Sequence, residues 1–136
     1  MNLNKTTYHH GNLRETLITS ALEILKDGTL EDLSLRALAR KAGVSQTAPY
    51  RHFEDREALI AVLILEGSKI FRAGMRTAVE ISSDPVESML ECGLNYYDFA
   101  AAHPALFRIM FGGNINELRE KYPELQESEQ KSRKII

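Results

Sequence analysis

Tryptophan is absent from the 136-residue chain, Cys92 is its one cysteine, and glycine (8) and proline (4) are sparse. A lone cysteine forms no internal disulfide, which excludes a disulfide scaffold and suits a reducing compartment; the expected location is the cytoplasm. The longest apolar run, Ala58 to Leu65, is eight residues, well short of the roughly 20 that cross a bilayer, so no membrane partner is expected. No basic start, apolar stretch and small-residue cleavage site occur together, so no secretion signal is read. With few glycines and prolines to punctuate it, the chain is free to run in helices.

What is present repeats at helical spacing almost throughout, and no run alternates as a half-buried strand does. Leu13, Leu17, Ala21, Ile24 and Leu25 form one stripe from about Asn12 to Asp27, which Gly28 is expected to end in a left-handed turn. Ser34 offers an N-cap to a short helix, Leu35 to Ala42, stopped by Gly43. Ser45 caps another, through about Phe53, with Pro49 near its first turn. Asp55 opens a long helix, 56–81, whose Leu59, Val62, Leu63, Ile70 and Phe71 face a core. Ser82–Pro85 punctuates the chain before a helix over 86–102. His103–Pro104 precedes a short apolar helix over 105–111, and Pro123 interrupts a charged tail from Ile115. The expected fold is all-α: a three-helix N-terminal domain over 1–55, joined through the long helix to a helical domain over 56–136.

Net charge is −2, but the distribution is uneven. Residues 1–56 hold 8 Lys and Arg against 7 Asp and Glu, whereas residues 57–136 hold 9 against 12. The stretch from Leu33 to Phe53 has no acidic residue and four basic ones, Arg36, Arg40, Lys41 and Arg51. An acid-free basic surface is fit to face phosphates, although a solvated basic face looks the same in sequence.

That stretch, SLRALARKAGVSQTAPYRHF, also has the parts of a helix-turn-helix, in which a first helix supports and a second lies in the major groove. Ala39 is small where the two helices touch, and Gly43 supplies positive φ in the turn. Leu35, Leu38, Ala42, Val44 and Phe53 plug the angle between the helices. Gln46, Thr47, Tyr50, Arg51 and His52 remain as exposed polar groups. A structural turn without DNA contact is the competing reading. No Ser/His/Asp order, paired-carboxylate pocket, glycine-rich phosphate loop or metal-ligand cluster is recognisable, so neither an enzyme nor a metal or cofactor site is expected. His9–His10 is read as part of an N-terminal arm rather than as a metal site.

The run LSLRALARKAGVSQTAPYRHFEDREAL, Leu33 to Leu59, closely resembles the DNA-binding region of the tetracycline-repressor-like (TetR) regulators. Tyr8 to Leu25 is similar to their first helix and the residues leading into it. YYDFAAAHPALFRIMFG, Tyr96 to Gly112, is similar to the C-terminal domain of the WHG subgroup. The resemblance implies that Ser34 and Arg36 sit on the sugar-phosphate backbone. It implies that Gln46 and Thr47 reach base edges with Ser45 nearby, and that Tyr50, His52 and Arg56 bond phosphates. Phosphate contacts position such a protein, whereas base contacts give it sequence preference.

For the second half, the resemblance implies a sensor of a small hydrophobic or amphipathic effector. Phe71, Met75, Met89, Cys92, Tyr96, Phe99, Phe107, Met110 and Phe111 recur at helical spacing there, a set that serves either as core or as pocket lining. Cys92 lacks a neighbouring base and reads as inert core. The function implied is a homodimeric repressor that leaves its operator when an effector binds. Regulators of this type continue through two further long helices that pair the subunits, and this chain stops at Ile136. The expectation is therefore either a truncated chain or another mode of dimerisation. The alternative function is a truncated or monomeric relative acting mainly as a protein-interaction module with weak DNA binding.

Overall fold

The computed structural model describes residues 12–135, so the N-terminal arm and His9–His10 lie outside it. Among the described residues there are helices, turns and no strand. The chain divides into two compact units, the first ending at Leu59 and the second beginning at Ile60.

In the first unit, helix α1 (Leu13–Asp27) buries Thr16, Leu17, Ser20, Ala21 and Leu25, residues three to four apart and hence on one face. Glu15 in its first turn and Lys26 in its last complement the helix dipole. Gly28 has φ −146°, so it does not adopt the left-handed turn expected of it. The chain turns on a side chain instead: Asp32 Oδ2 accepts from the Thr29 backbone N–H at 2.8 Å. A Cβ on Gly28 would collide with that same carboxylate oxygen, so the glycine is required for close approach rather than for φ. A 3₁₀ turn, Leu30–Asp32, leads into α2 (Leu35–Ala42).

Helix α2 begins and ends as its sequence dictates. Ser34 Oγ accepts from the Ala37 N–H at 2.9 Å, satisfying one donor that a helix N-terminus leaves free. Gly43 stands at φ 72° and ψ 34°. The Val44 N–H reaches back to the Ala39 carbonyl at 3.0 Å and the Gly43 N–H to that of Arg40 at 3.2 Å. These two bonds make the Schellman closure. Leu38 and Ala39 are fully buried with Leu17, Ala21 and Leu59; a large aliphatic side chain so placed contributes about 1.5–3 kcal/mol.

Helix α3 (Arg56–Glu80) opens where Asp55 Oδ1 accepts from the Ala58 N–H at 2.8 Å. It carries residues of both units. In the second unit its buried stripe runs Leu63, Ile64, Phe71, Met75 and Ala78. Ile70, expected in the core, is 43% exposed. Arg72 is buried instead. Its Nη1 donates to the Ser128 carbonyl at 3.0 Å and to Ser128 Oγ at 2.7 Å. Desolvation lowers the pKa of this guanidinium, and neighbouring Arg76 lowers it further.

Helix α4 (Pro85–Ala102) follows an Asp84 cap, α5 (Pro104–Phe111) is the short apolar helix, and the charged tail forms α6 (Ile115–Lys121) and α7 (Pro123–Arg133). Gly67 lets α5 approach α3, since a Cβ there would stand 2.6 Å from Met110 Sδ and 2.9 Å from Leu106 Cγ. Phe71 meets Tyr96, Phe99 and Phe111 edge-on, with centroids 4.7, 5.6 and 5.7 Å away. Such edge-to-face contacts are favoured by the ring quadrupoles. Helix α4 also leaves Val86, Met89, Leu90, Leu94 and Tyr97 exposed. No helix among the described residues is long and apolar enough to cross a membrane.

Candidate functional site

The second element of the helix-turn-helix is shorter and tighter than its sequence suggests. Instead of a helix from Ser45 to Phe53, Gln46 and Thr47 form a turn and Ala48–Arg51 a 3₁₀ helix. Pro49 explains this, because it has no N–H with which to continue α-helical bonding. The remaining bonds close early: Ala48 N–H to the Ser45 carbonyl at 3.1 Å, Tyr50 N–H to Thr47 at 3.2 Å, and His52 N–H to Pro49 at 3.0 Å. Ser45 places its hydroxyl 3.3 Å from that of Thr47 instead of capping a helix.

Ala48 and Pro49 are buried, and Phe53 is 1% exposed beneath the Arg14 guanidinium, 5.3 Å from its ring centroid. With those anchors inside, Ser45, Gln46, Thr47, Tyr50, Arg51 and His52 are all exposed. Tyr50 is 59% exposed, an unusual position for a large aromatic. The structure therefore brings six of the sequence-expected residues onto one outward run, and Arg36 is exposed on α2. Ser34 is half-buried, its oxygen engaged in the cap. Lys41 pairs at 3.8 Å with Glu23, both well exposed, an ion pair of little energetic consequence.

Arg56 has a different employment from the others. Its Nε donates to the Leu33 carbonyl at 2.7 Å and its Nη2 to the Leu30 carbonyl at 2.6 Å. The guanidinium thereby ties the head of α3 to the loop before α2.

Within the second unit a cavity of about 210 Å³ is lined by Phe71, Met75, Tyr96, Met110 and Phe111 from the sequence-expected set. Met89, Cys92, Phe99 and Phe107 do not line it. Met89 is 76% exposed, Cys92 is half-buried, and Phe99 and Phe107 pack ring against ring at 6.4 Å. The walls that sequence reasoning missed are Ile64, Ile115 and Leu125, with polar Ser68, Arg119, Glu129, Ser132 and Arg133. Ile115 and Leu125 stand as apolar residues among the charges of the tail, too far apart in sequence to form a stripe on one helix. Among the described residues no group of three or more His, Cys, Asp or Glu is placed to hold a metal ion.

An exposed polar run on a short helix, set at the Gly43 turn after α2, defines the class: a helix-turn-helix protein. Residues 17–63 match the family described as bacterial regulatory proteins, tetR family. Over 50 residues the chain is 46% identical to the tetracycline repressor protein class C of Escherichia coli, covering 37% of this chain and 23% of that one. A solved protein of unknown function from Rhodococcus sp. RHA1 superposes with TM-score 0.67 at 40% identity, over 76% of this chain and 54% of the other. The fatty acid degradation regulator FadR from Bacillus halodurans shares the fold, with TM-score 0.66 at 19% identity over 87% and 62% of the two chains. The N-terminal part of the chain is thus similar to the tetR family, and the chain spans about a quarter of the curated repressor and just over half of the first of these solved structures.

Proposed function

We propose that this chain is a DNA-binding transcriptional regulator that acts as a repressor and leaves its operator when a small molecule binds. The observation that carries this reading is the outward run from Ser45 to His52, anchored by buried Ala48 and Pro49 within a stretch free of acidic residues. Gln46 and Thr47 stand ahead of the 3₁₀ helix, where side chains meet base edges, and Tyr50, Arg51 and His52 flank them as phosphate contacts. Arg36, at the start of α2, adds a further cation beside a helix N-terminus. As a homodimer, the working form of this reading, two such heads would read half-sites separated by about 34–36 Å or multiples of it. Helix α3 holds residues of both units, so displacement of its second-unit part by a ligand would reach the reading elements through Arg56. No metal, cofactor or catalytic step enters this account.

The test is binding to a labelled promoter fragment flanking the protein's own gene, at two salt concentrations, for the wild type and Tyr50→Ala. Tight binding that weakens with salt and is lost in the variant is the expected result. A folded protein that binds neither this fragment nor any member of a random-sequence pool would sink the reading.

A further inference from the structure

The cavity of the second unit has two unlike walls. On one side Phe71, Tyr96 and Phe111 form an aromatic corner, with centroids 4.7 to 5.8 Å apart. Tyr96 and Phe111 remain 41% and 44% exposed, which is costly for side chains of this size unless something covers them. On the other side Arg119 Nε lies 2.9 Å from Glu129 Oε2, and Arg133 Nη2 lies 2.7 Å from Glu129 Oε1. One carboxylate is thus shared between two guanidinium groups, and the cluster keeps one net positive charge. Arg119 also donates from Nη1 to Asn116 Oδ1 at 2.9 Å, but a guanidinium offers five N–H donors in a planar fork, so both arginines keep donors to spare. Among the described residues no other charged side chain lines the cavity.

We propose that this cavity binds a small amphipathic monoanion, a carboxylate on a single-ring or comparably compact apolar body. The apolar body lies against the aromatic corner and the carboxylate takes the spare donors of Arg119 and Arg133. At about 210 Å³ the space is below the roughly 300–1,000 Å³ of sites for drug-sized ligands, which favours one ring over a fused polycycle. A cation would meet the arginines first, and a neutral molecule would leave their surplus charge unanswered. The assignment rests on the effector-sensing reading of this unit and gives that effector a chemistry.

Calorimetric titration of the whole chain with 4-phenylbutyrate and with its uncharged amide, 4-phenylbutanamide, tests it in the absence of DNA. The acid should bind about tenfold more tightly than the amide, the usual scale of one charge-assisted hydrogen bond. Arg119→Gln and Arg133→Gln should each erase most of that preference, whereas Glu129→Gln, by freeing both arginines, should strengthen binding of the acid. Arg133 has its side chain 76% exposed, so its variant carries the test even where Arg119→Gln fails to fold. Equal binding of acid and amide, no binding of either, or a preference that survives both arginine variants overturns the proposal. Promoter binding by the same preparations is scored separately. If it fails while the acid preference holds, the regulator reading falls and the anion site stands; the reverse outcome removes the site and leaves the DNA reading.

Discussion

The two units differ in how fully they cover their own apolar surface. Up to Leu59 a single large apolar side chain, Tyr50, is exposed among the described residues, and it belongs to the proposed DNA-facing run. From Ile60 onward nine are exposed, six of them along α4. The first unit closes each connection with a specific device: the Asp32 carboxylate on Thr29, the Ser34 cap, the Schellman bonds at Gly43, the Asp55 cap and the Arg56 tie. The second has the Asp84 cap and the buried Arg72–Ser128 pair, and otherwise packs around Phe71 and Gly67. Of the nine exposed in the second unit, Tyr96 and Phe111 line the cavity and the other seven lie outside it.

Substitutions break this contrast to different degrees. Leu38→Ala, at a position with no exposure, should cost about 2–5 kcal/mol by chemical denaturation, since the tightly closed unit cannot collapse around the void. Gly67→Val should cost about 1–3 kcal/mol, because the added atoms meet Leu106 and Met110; calorimetric melting measures it. Gly43→Ala forces a side chain into the left-handed region at φ 72° and should cost about 1–2 kcal/mol, read as a lowered denaturation midpoint. Met89→Ser, on the exposed face of α4, should change stability by less than about 0.5 kcal/mol. A large loss of stability there would show that the second unit is more tightly closed than its exposure implies.

Much of the first unit was legible because its determinants are local. Ser34, Gly43 and Asp55 act within three or four residues, and the run from Leu35 to Phe53 places its apolar plugs at fixed spacing. What sequence reading missed there has a physical cause in each case. Pro49 tightened the reading segment into a 3₁₀ helix, and the Asp32 carboxylate, not a left-handed glycine, turned the chain after α1. The Arg56 tie spans 23 to 26 residues, beyond the reach of any periodicity argument. In the second unit the starts of α4 and α5 followed from Pro85 and Pro104, but the helices of the charged tail, α6 and α7, did not, and neither did the cavity. Its walls come from α3, α4, α5, α6 and α7, and which face of each helix turns inward is decided by packing at Gly67 and Arg72.

The Arg56 tie also changes what a substitution would cost in DNA affinity. DNA affinity falls with salt because each protein cation that neutralises a phosphate releases condensed counterions, about 0.9 per phosphate on B-form DNA. Arg36→Gln or Arg51→Gln should therefore flatten the plot of log affinity against log salt by about one unit for each phosphate no longer neutralised. The guanidinium bonded to the Leu30 and Leu33 carbonyls keeps its full charge, because those acceptors are neutral, and it also holds the loop before α2. Arg56→Gln should lower affinity by more than Arg36→Gln or Arg51→Gln at equal salt, because it removes a charge and the tie to the Leu30–Leu33 loop together.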